Sequence, residues 1–139
     1  MQILLQLEGK EEVNKLNKDN KFDVDLKFGN LGEKYIQEIF DGDGKVEVKT
    51  ERDIWKKTGN LFIEYKCRGK LSGISVSQAS TWVYCFYYQG KIEFSLIFKL
   101  KELKEKIKKL HKLGIAKKSV GGDDNLSDGF LIPIKEIIR

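Results

Sequence analysis

The sequence contains a single histidine, His111, and this scarcity excludes whole classes of catalytic site. A zinc centre held by several histidines cannot form, and a Ser-His-Asp hydrolase would have to use that one residue as its base. The phosphate-binding patterns GxxxxGKS/T and GxGxxG do not occur, so no motif indicates a nucleotide cofactor.

Long apolar runs are also missing. None approaches the ~20 residues that a membrane-spanning helix requires, so we expect no membrane partner. The segment MQILLQLEGKEE has no basic region before its apolar residues and no small-residue cleavage site after them, which favours an ordinary structural segment over a signal peptide. The cytoplasm is therefore the expected compartment, and the two cysteines are expected to be reduced thiols.

The chain has 139 residues, which predicts one domain spanning residues 1–139. Its hydrophobic fraction of 40% and charged fraction of 34% are typical of a globular chain. Lys and Arg exceed Asp and Glu by 26 to 21, giving a net charge of +5. This positive balance is compatible with a nucleic-acid partner.

Hydrophobic periodicity predicts an α/β fold. Residues 10–27 are polar and indicate a short helix or loop, followed by a turn at FGNLGE. The last predicted strand contains Pro133, which favours an edge position because proline cannot donate a ladder hydrogen bond. The patterns predict helices over 31–40 and 99–112 and strands over 45–49, 61–67, 81–89, 92–99 and 130–138.

The segment KVEVKTERDIWKKTGNLFIEYKCRGK contains the pattern Glu-x-Lys twice, as Glu47-Val48-Lys49 and Glu64-Tyr65-Lys66. Because residues i and i+2 share a face of a strand, each acid would lie beside its lysine. Such alternation also describes any strand with one solvated face. Metal-dependent phosphodiester hydrolysis, however, needs carboxylates that converge on Mg²⁺ and a nearby cation. Glu33, in the first turn of the predicted 31–40 helix, is placed in sequence to add a third acid.

These residues resemble the PD-(D/E)XK nuclease superfamily, which includes restriction endonucleases and archaeal-type Holliday-junction resolvases. The resemblance covers residues 22–88, through FGNLGEKYIQEIF, KVEVKT, TGNLFIEYKCRGKLSGIS and STWVY, and extends to small phage-type members. It implies a restriction-endonuclease-like mixed β-sheet flanked by helices. It also implies an Mg²⁺-dependent DNA endonuclease, with Mn²⁺ as a substitute, that cleaves branched DNA in recombination or repair. A phage-encoded chain would act in the host cytoplasm.

Carried over by position, the resemblance makes Glu33, Glu47 and Glu64 the metal ligands. Glu33 matches the helix acid, Glu47 the first strand acid, and Glu64 with Lys66 the second acid and the catalytic lysine. On this interpretation, Glu47 and Glu64 lie on neighbouring strands linked as a hairpin.

A competing register makes Glu47 and Lys49 the Glu-x-Lys pair, with Asp43 as the upstream acid. Neither register contains the Pro-Asp of the superfamily pattern, so the sequence leaves the choice between Lys49 and Lys66 open.

Two other functions fit the same sequence: a restriction-type or nicking endonuclease of the same fold, and a non-catalytic nucleic-acid-binding module. We also expect a homodimer, with its interface on the aromatic strand 82–88 or on the leucine stripe of helix 99–112. The loop CRGKLSGIS, just after the second motif, is a candidate for phosphate contacts.

Overall fold

A computed structural model describes residues 15–41, 45–122 and 125–139. The chain divides between residues 43 and 44 into two compact units, which are described separately below. In the described residues, no helix is long and apolar enough to cross a membrane.

The described part of the first unit, residues 15–41, is a long helix, α1, over Lys15–Asp41. The turn expected at FGNLGE is wrong, because the helix continues through that segment and holds Gly32 in its interior. Each residue added to an existing helix gains a hydrogen bond, and an interior glycine costs only about 1 kcal/mol. Glu33 therefore lies well inside α1 and not in a first turn.

Among its described residues, the second unit has seven strands in two sheets, three further α-helices and one 3-10 turn over Gly73–Ser75. Its elements, in chain order, are β1 Val46–Arg52, α2 Ile54–Thr58, β2 Asn60–Cys67, β3 Lys70–Leu71, β4 Thr81–Tyr88, β5 Lys91–Lys99, α3 Leu100–Lys112, β6 Lys117–Gly121, β7 Ser127–Pro133 and α4 Ile134–Ile137. The first sheet has the order β1-β4-β5, with β1 parallel and β5 antiparallel to β4. The second sheet, β3-β2-β7-β6, is antiparallel throughout. The predicted α/β class and the mixed sheet are confirmed.

The two Glu-x-Lys strands are not neighbours, so the predicted hairpin is wrong. β1, which carries Glu47, pairs with β4, whereas β2, which carries Glu64, pairs with β7. The short helix α2 intervenes and carries the chain from one sheet to the other. The predicted edge position of the last strand is also wrong: β7 is central, and its proline, Pro133, is tolerated because it is the final residue of the strand.

The core of this unit lies against helix α3, whose leucine stripe is buried as its periodicity predicts. Leu103 is 1% exposed and the rest of the stripe is similarly covered. The stripe packs in one cluster with β4 aromatic residues and with aliphatic residues of β2 and β7. These side chains are used within one chain, so the expected dimer interface on the leucine stripe is wrong.

Candidate active site

β1 presents a row of three polar side chains on its more buried face. Burial alternates along the strand, so Glu47, Lys49 and Glu51 are partly buried while the residues between them, Val48 and Thr50, are exposed. The parallel register aligns the row, in order, with the buried β4 residues Trp82, Tyr84 and Phe86. The polar row therefore lies beside the aromatic core, on the edge strand of its sheet.

The first Glu-x-Lys motif forms an internal ion pair. The Lys49 ammonium lies 2.7 Å from the Glu47 carboxylate and 5.7 Å from the centroid of the Trp82 ring. Both charged side chains are about two-fifths exposed, at 42% and 40%, so the pair is accessible from solvent. An ion pair of this exposure contributes about 1 kcal/mol at most to stability. The contacts with Glu47 and Trp82 hold the Lys49 ammonium in a defined position.

Glu51 is the residue that sequence reasoning missed. Its Oε1 accepts a hydrogen bond of 2.9 Å from the backbone N–H of Phe62 in β2, which joins the two sheets. Burial raises the pKa of the Glu51 carboxyl above its ordinary value, and the Phe62 N–H partly offsets that rise. The signal was present in the sequence, because Glu51 continues the alternation of Glu47 and Lys49 by one further step.

Tyr84 is a buried phenol of β4 that contacts β2. It is 2% exposed, and its hydroxyl donates a 3.2 Å hydrogen bond to the Phe62 carbonyl. Burial raises the pKa of this hydroxyl, and the negative charges of Glu51 and Glu64 raise it further. The neighbouring Trp82 N–H is buried close to the same hydroxyl, yet no acceptor among the described residues meets hydrogen-bond geometry with it. The negative charges of two acids, one from each sheet, therefore act on one buried phenol.

Two serines and a glycine hold the Glu64 carboxylate in place. Ser72 donates to Oε2 at 3.1 Å, and the hydroxyl of Ser127 donates to Oε1. The backbone N–H of Ser72 also donates to the Tyr65 carbonyl at 3.0 Å. Gly73 has φ +53° and approaches so closely that an added Cβ would lie 2.2 Å from the Glu64 carbonyl oxygen. The SGI part of the loop after the second motif therefore orients Glu64.

A β-bulge separates Glu64 from Lys66. Glu64 is aligned with Gly129, but Lys66 is aligned with Asp128, the next residue along β7, so Tyr65 is the extra residue. A bulge interrupts the strict alternation of strand faces. The expectation that Glu64 and Lys66 lie side by side assumed that alternation, and the register shift breaks the alternation between the two residues.

Its hydrogen bond to the Phe62 N–H places the Glu51 carboxylate at β2, two residues along that strand from Glu64, while the predicted ligand Glu47 is paired with Lys49. Glu33 belongs to the helix of the first unit, and Asp43 lies outside the described residues. No group of three or more His, Cys, Asp or Glu side chains in residues 15–41, 45–122 and 125–139 is arranged to hold a metal ion. The convergence of Glu33 on the site stays a prediction.

Comparisons with protein-family models, with curated proteins and with solved structures find no match to this chain. Function is therefore argued from the site itself.

Proposed function

We propose that this protein is an Mg²⁺-dependent DNA endonuclease whose catalytic centre is formed by Glu51, Glu64 and Lys49. The observation that carries the proposal is the 2.9 Å hydrogen bond by which Glu51 of β1 reaches the Phe62 N–H, two residues along β2 from Glu64. Two carboxylates beside a desolvated group repel one another unless a cation offsets their charge. An acid whose pKa is raised by burial, as at Glu51, is a feature of catalytic sites.

The residues fit a magnesium ion. Mg²⁺ binds hard oxygen ligands and commonly uses only one or two carboxylates, completing its shell with water and substrate phosphate oxygens. Glu51 and Glu64 would hold it, because each carboxylate oxygen that accepts one internal hydrogen bond has a second lone pair. When bound, the ion would supply Lewis-acid stabilisation of the phosphate and a lowered pKa of water.

Lys49 is the cation that the geometry favours. It lies on the same strand face as Glu51 and is aligned with Tyr84, whereas a bulge displaces Lys66 from the register of Glu64. An ammonium fixed near the scissile phosphate stabilises the negative charge that develops there. Glu47 is a positioning residue in this proposal, since its ion pair holds Lys49 over the Trp82 ring.

Branched DNA, such as a Holliday junction, is the proposed substrate, and a homodimer with two sites would suit its two-fold symmetry. The net charge of +5 and the exposed lysines along α3 support a polyanionic partner. Action in the cytoplasm, in recombination or repair, completes the proposal.

Cleavage assays with single-stranded, duplex, nicked and four-way-junction DNA test this proposal. We expect cleavage that requires Mg²⁺ or Mn²⁺ and stops with EDTA. Glu64→Gln should abolish cleavage while DNA affinity persists, because the charge that holds the ion is lost and the shape is kept. Glu105→Gln, the same change on an exposed position of α3, is the matched control and should cleave normally. Full activity in excess EDTA would refute the metal-dependent mechanism.

A non-catalytic nucleic-acid-binding module is the second candidate. The internal hydrogen bonds of Glu51 and Glu64 favour it, because acids that hold the two sheets and a loop together already have a structural use. This reading predicts nucleic-acid binding without cleavage for every metal and substrate, together with loss of folding in Glu64→Gln.

A further inference from the structure

The Phe62 ring packs against the backbone of two glycines, one in the adjacent strand β7 and one in the next strand, β6. A Cβ added to Gly129 in β7 would lie 2.5 Å from the ring, and one added to Gly121 in β6 would lie 2.9 Å from it. Both distances are far below ordinary van der Waals contact, so only glycine allows the ring to rest on the backbone here. The ring therefore extends across three strands of the second sheet.

This ring extends toward the candidate catalytic acid. Gly129 is aligned with Glu64, and Gly121 is aligned with Ser127, whose hydroxyl donates to the Glu64 carboxylate. Phe62 and Glu64 are two residues apart on one strand and so share its face. An aromatic ring and a carboxylate are thus placed side by side, at about 7 Å along the strand.

Core packing does not account for Phe62. The core of the second unit uses Leu61 and Ile63, on the opposite face of β2, and Phe62 belongs neither to that core nor to the partly buried residues packed against it. Its side chain is partly exposed, and the residue aligned with it, Leu131, is 37% exposed. In the part of the chain that the structure describes, no second aromatic ring pairs with it.

We propose that Phe62 stacks on an unpaired base of the DNA strand whose phosphate would lie at the ion held by Glu51 and Glu64, an inference that rests on the proposed function. A base is the occupant that fits, because stacking needs a flat apolar face beside a phosphate site and works for any base. Lys117, exposed on β6 and aligned with Leu131, places a cation on the same face for a neighbouring phosphate.

The consequence is a preference for particular DNA structures. Bases inside a duplex are stacked on each other and offer no free face, so a paired nucleotide must first be unstacked. Phe62 would therefore favour junctions, flaps and gaps, where a base next to the cleaved phosphate is already unpaired. The same ring contributes little to binding of an intact duplex.

The test uses binding in Ca²⁺, which carboxylate and phosphate oxygens also bind but without the octahedral geometry that Mg²⁺ requires, with a short oligothymidylate and an intact duplex as probes. Phe62→Leu should weaken oligothymidylate binding by about 5- to 100-fold, the range for losing one base–aromatic stack, and change duplex binding little. Phe62→Tyr keeps the ring and should retain affinity, which separates stacking from a merely structural role.

Fluorescence supplies a direct readout. The tryptophan introduced by Phe62→Trp should be quenched by oligothymidylate, because a stacked base quenches indole emission. Phe130→Trp, on the opposite face of the same sheet, is the matched control and should not be quenched. Thermal melts of every variant show whether it is folded.

The outcomes separate this inference from the proposed function. Cleavage that depends on Glu64, with equal oligothymidylate affinity for wild type and Phe62→Leu and no quenching in Phe62→Trp, overturns the stacking role alone. A wild-type protein that neither binds nor cleaves DNA overturns both.

Discussion

Replacing Gly73 by alanine offers the sharpest test of how the site is held together. The added Cβ would lie 2.2 Å from the Glu64 carbonyl oxygen and 2.9 Å from its carbonyl carbon, both backbone atoms that cannot rotate away. Relieving that contact requires the loop to move by more than about 1 Å, because ordinary contact lies at about 3.5 Å. Ser72, the preceding residue, would move with it and withdraw its hydroxyl from Glu64 Oε2.

The chain contains a matched control for this change. Gly69 also has a left-handed φ, +78° against +53° at Gly73, but a Cβ there would meet no atom within 4 Å. Both substitutions therefore cost about 1–2 kcal/mol for the left-handed backbone. Only Gly73→Ala adds the cost of overpacking, about 1–3 kcal/mol. We expect the free energy of unfolding to fall by that much more in Gly73→Ala than in Gly69→Ala.

Denaturant unfolding and cleavage rates measure the two effects. A displacement of about 1 Å in a catalytic group can lower the rate by about 100-fold, so we expect Gly73→Ala to cleave about that much more slowly while Gly69→Ala keeps the wild-type rate. Equal unfolding free energies and equal rates for the two variants would refute the role assigned to the SGI loop.

Local periodicity predicted the elements whose apolar residues, repeating along the sequence, form the face that is buried in the fold. The leucine spacing of α3 and the aromatic run of β4 each led to an element near its observed bounds, because one face of each is buried. Strand pairing was not predictable in this way. β1 pairs with β4 rather than with the next strand in sequence, and parallel pairing is set by packing across the core.

The site was partly predictable for the same reason. Glu64 was found through its motif, and its predicted role in the proposed site is unchanged. Glu51 was overlooked because its hydrogen-bond partner, the Phe62 backbone, belongs to another sheet, and the alternation that includes Glu51 does not by itself indicate that partner. The bulge at Tyr65 was invisible because it arises from the register between β2 and β7, not from any residue preference within β2.

Two further substitutions test the charges of the site. Glu51→Gln keeps an acceptor for the Phe62 N–H but removes a carboxylate whose pKa burial raises above 4.5. A raised pKa contributes stability below the unfolded value that is lost as pH rises through the folded value. In EDTA, Glu51→Gln should therefore melt higher than wild type at pH 8 and lose that advantage near pH 4, a difference that thermal melts across pH would detect. The lysines provide the last test, because only Lys49 shares a strand face with Glu51, while the bulge removes Lys66 from the register of Glu64. Lys49→Ala should lower the cleavage rate by about 10²–10³-fold, as for loss of one preorganised donor, and Lys66→Ala should lower it less. If single-turnover kinetics instead show the larger loss for Lys66→Ala, the catalytic lysine belongs to the second Glu-x-Lys motif. A lysine that the bulge had turned away from Glu64 could not reach the same phosphate, so that result would refute the role assigned to the bulge.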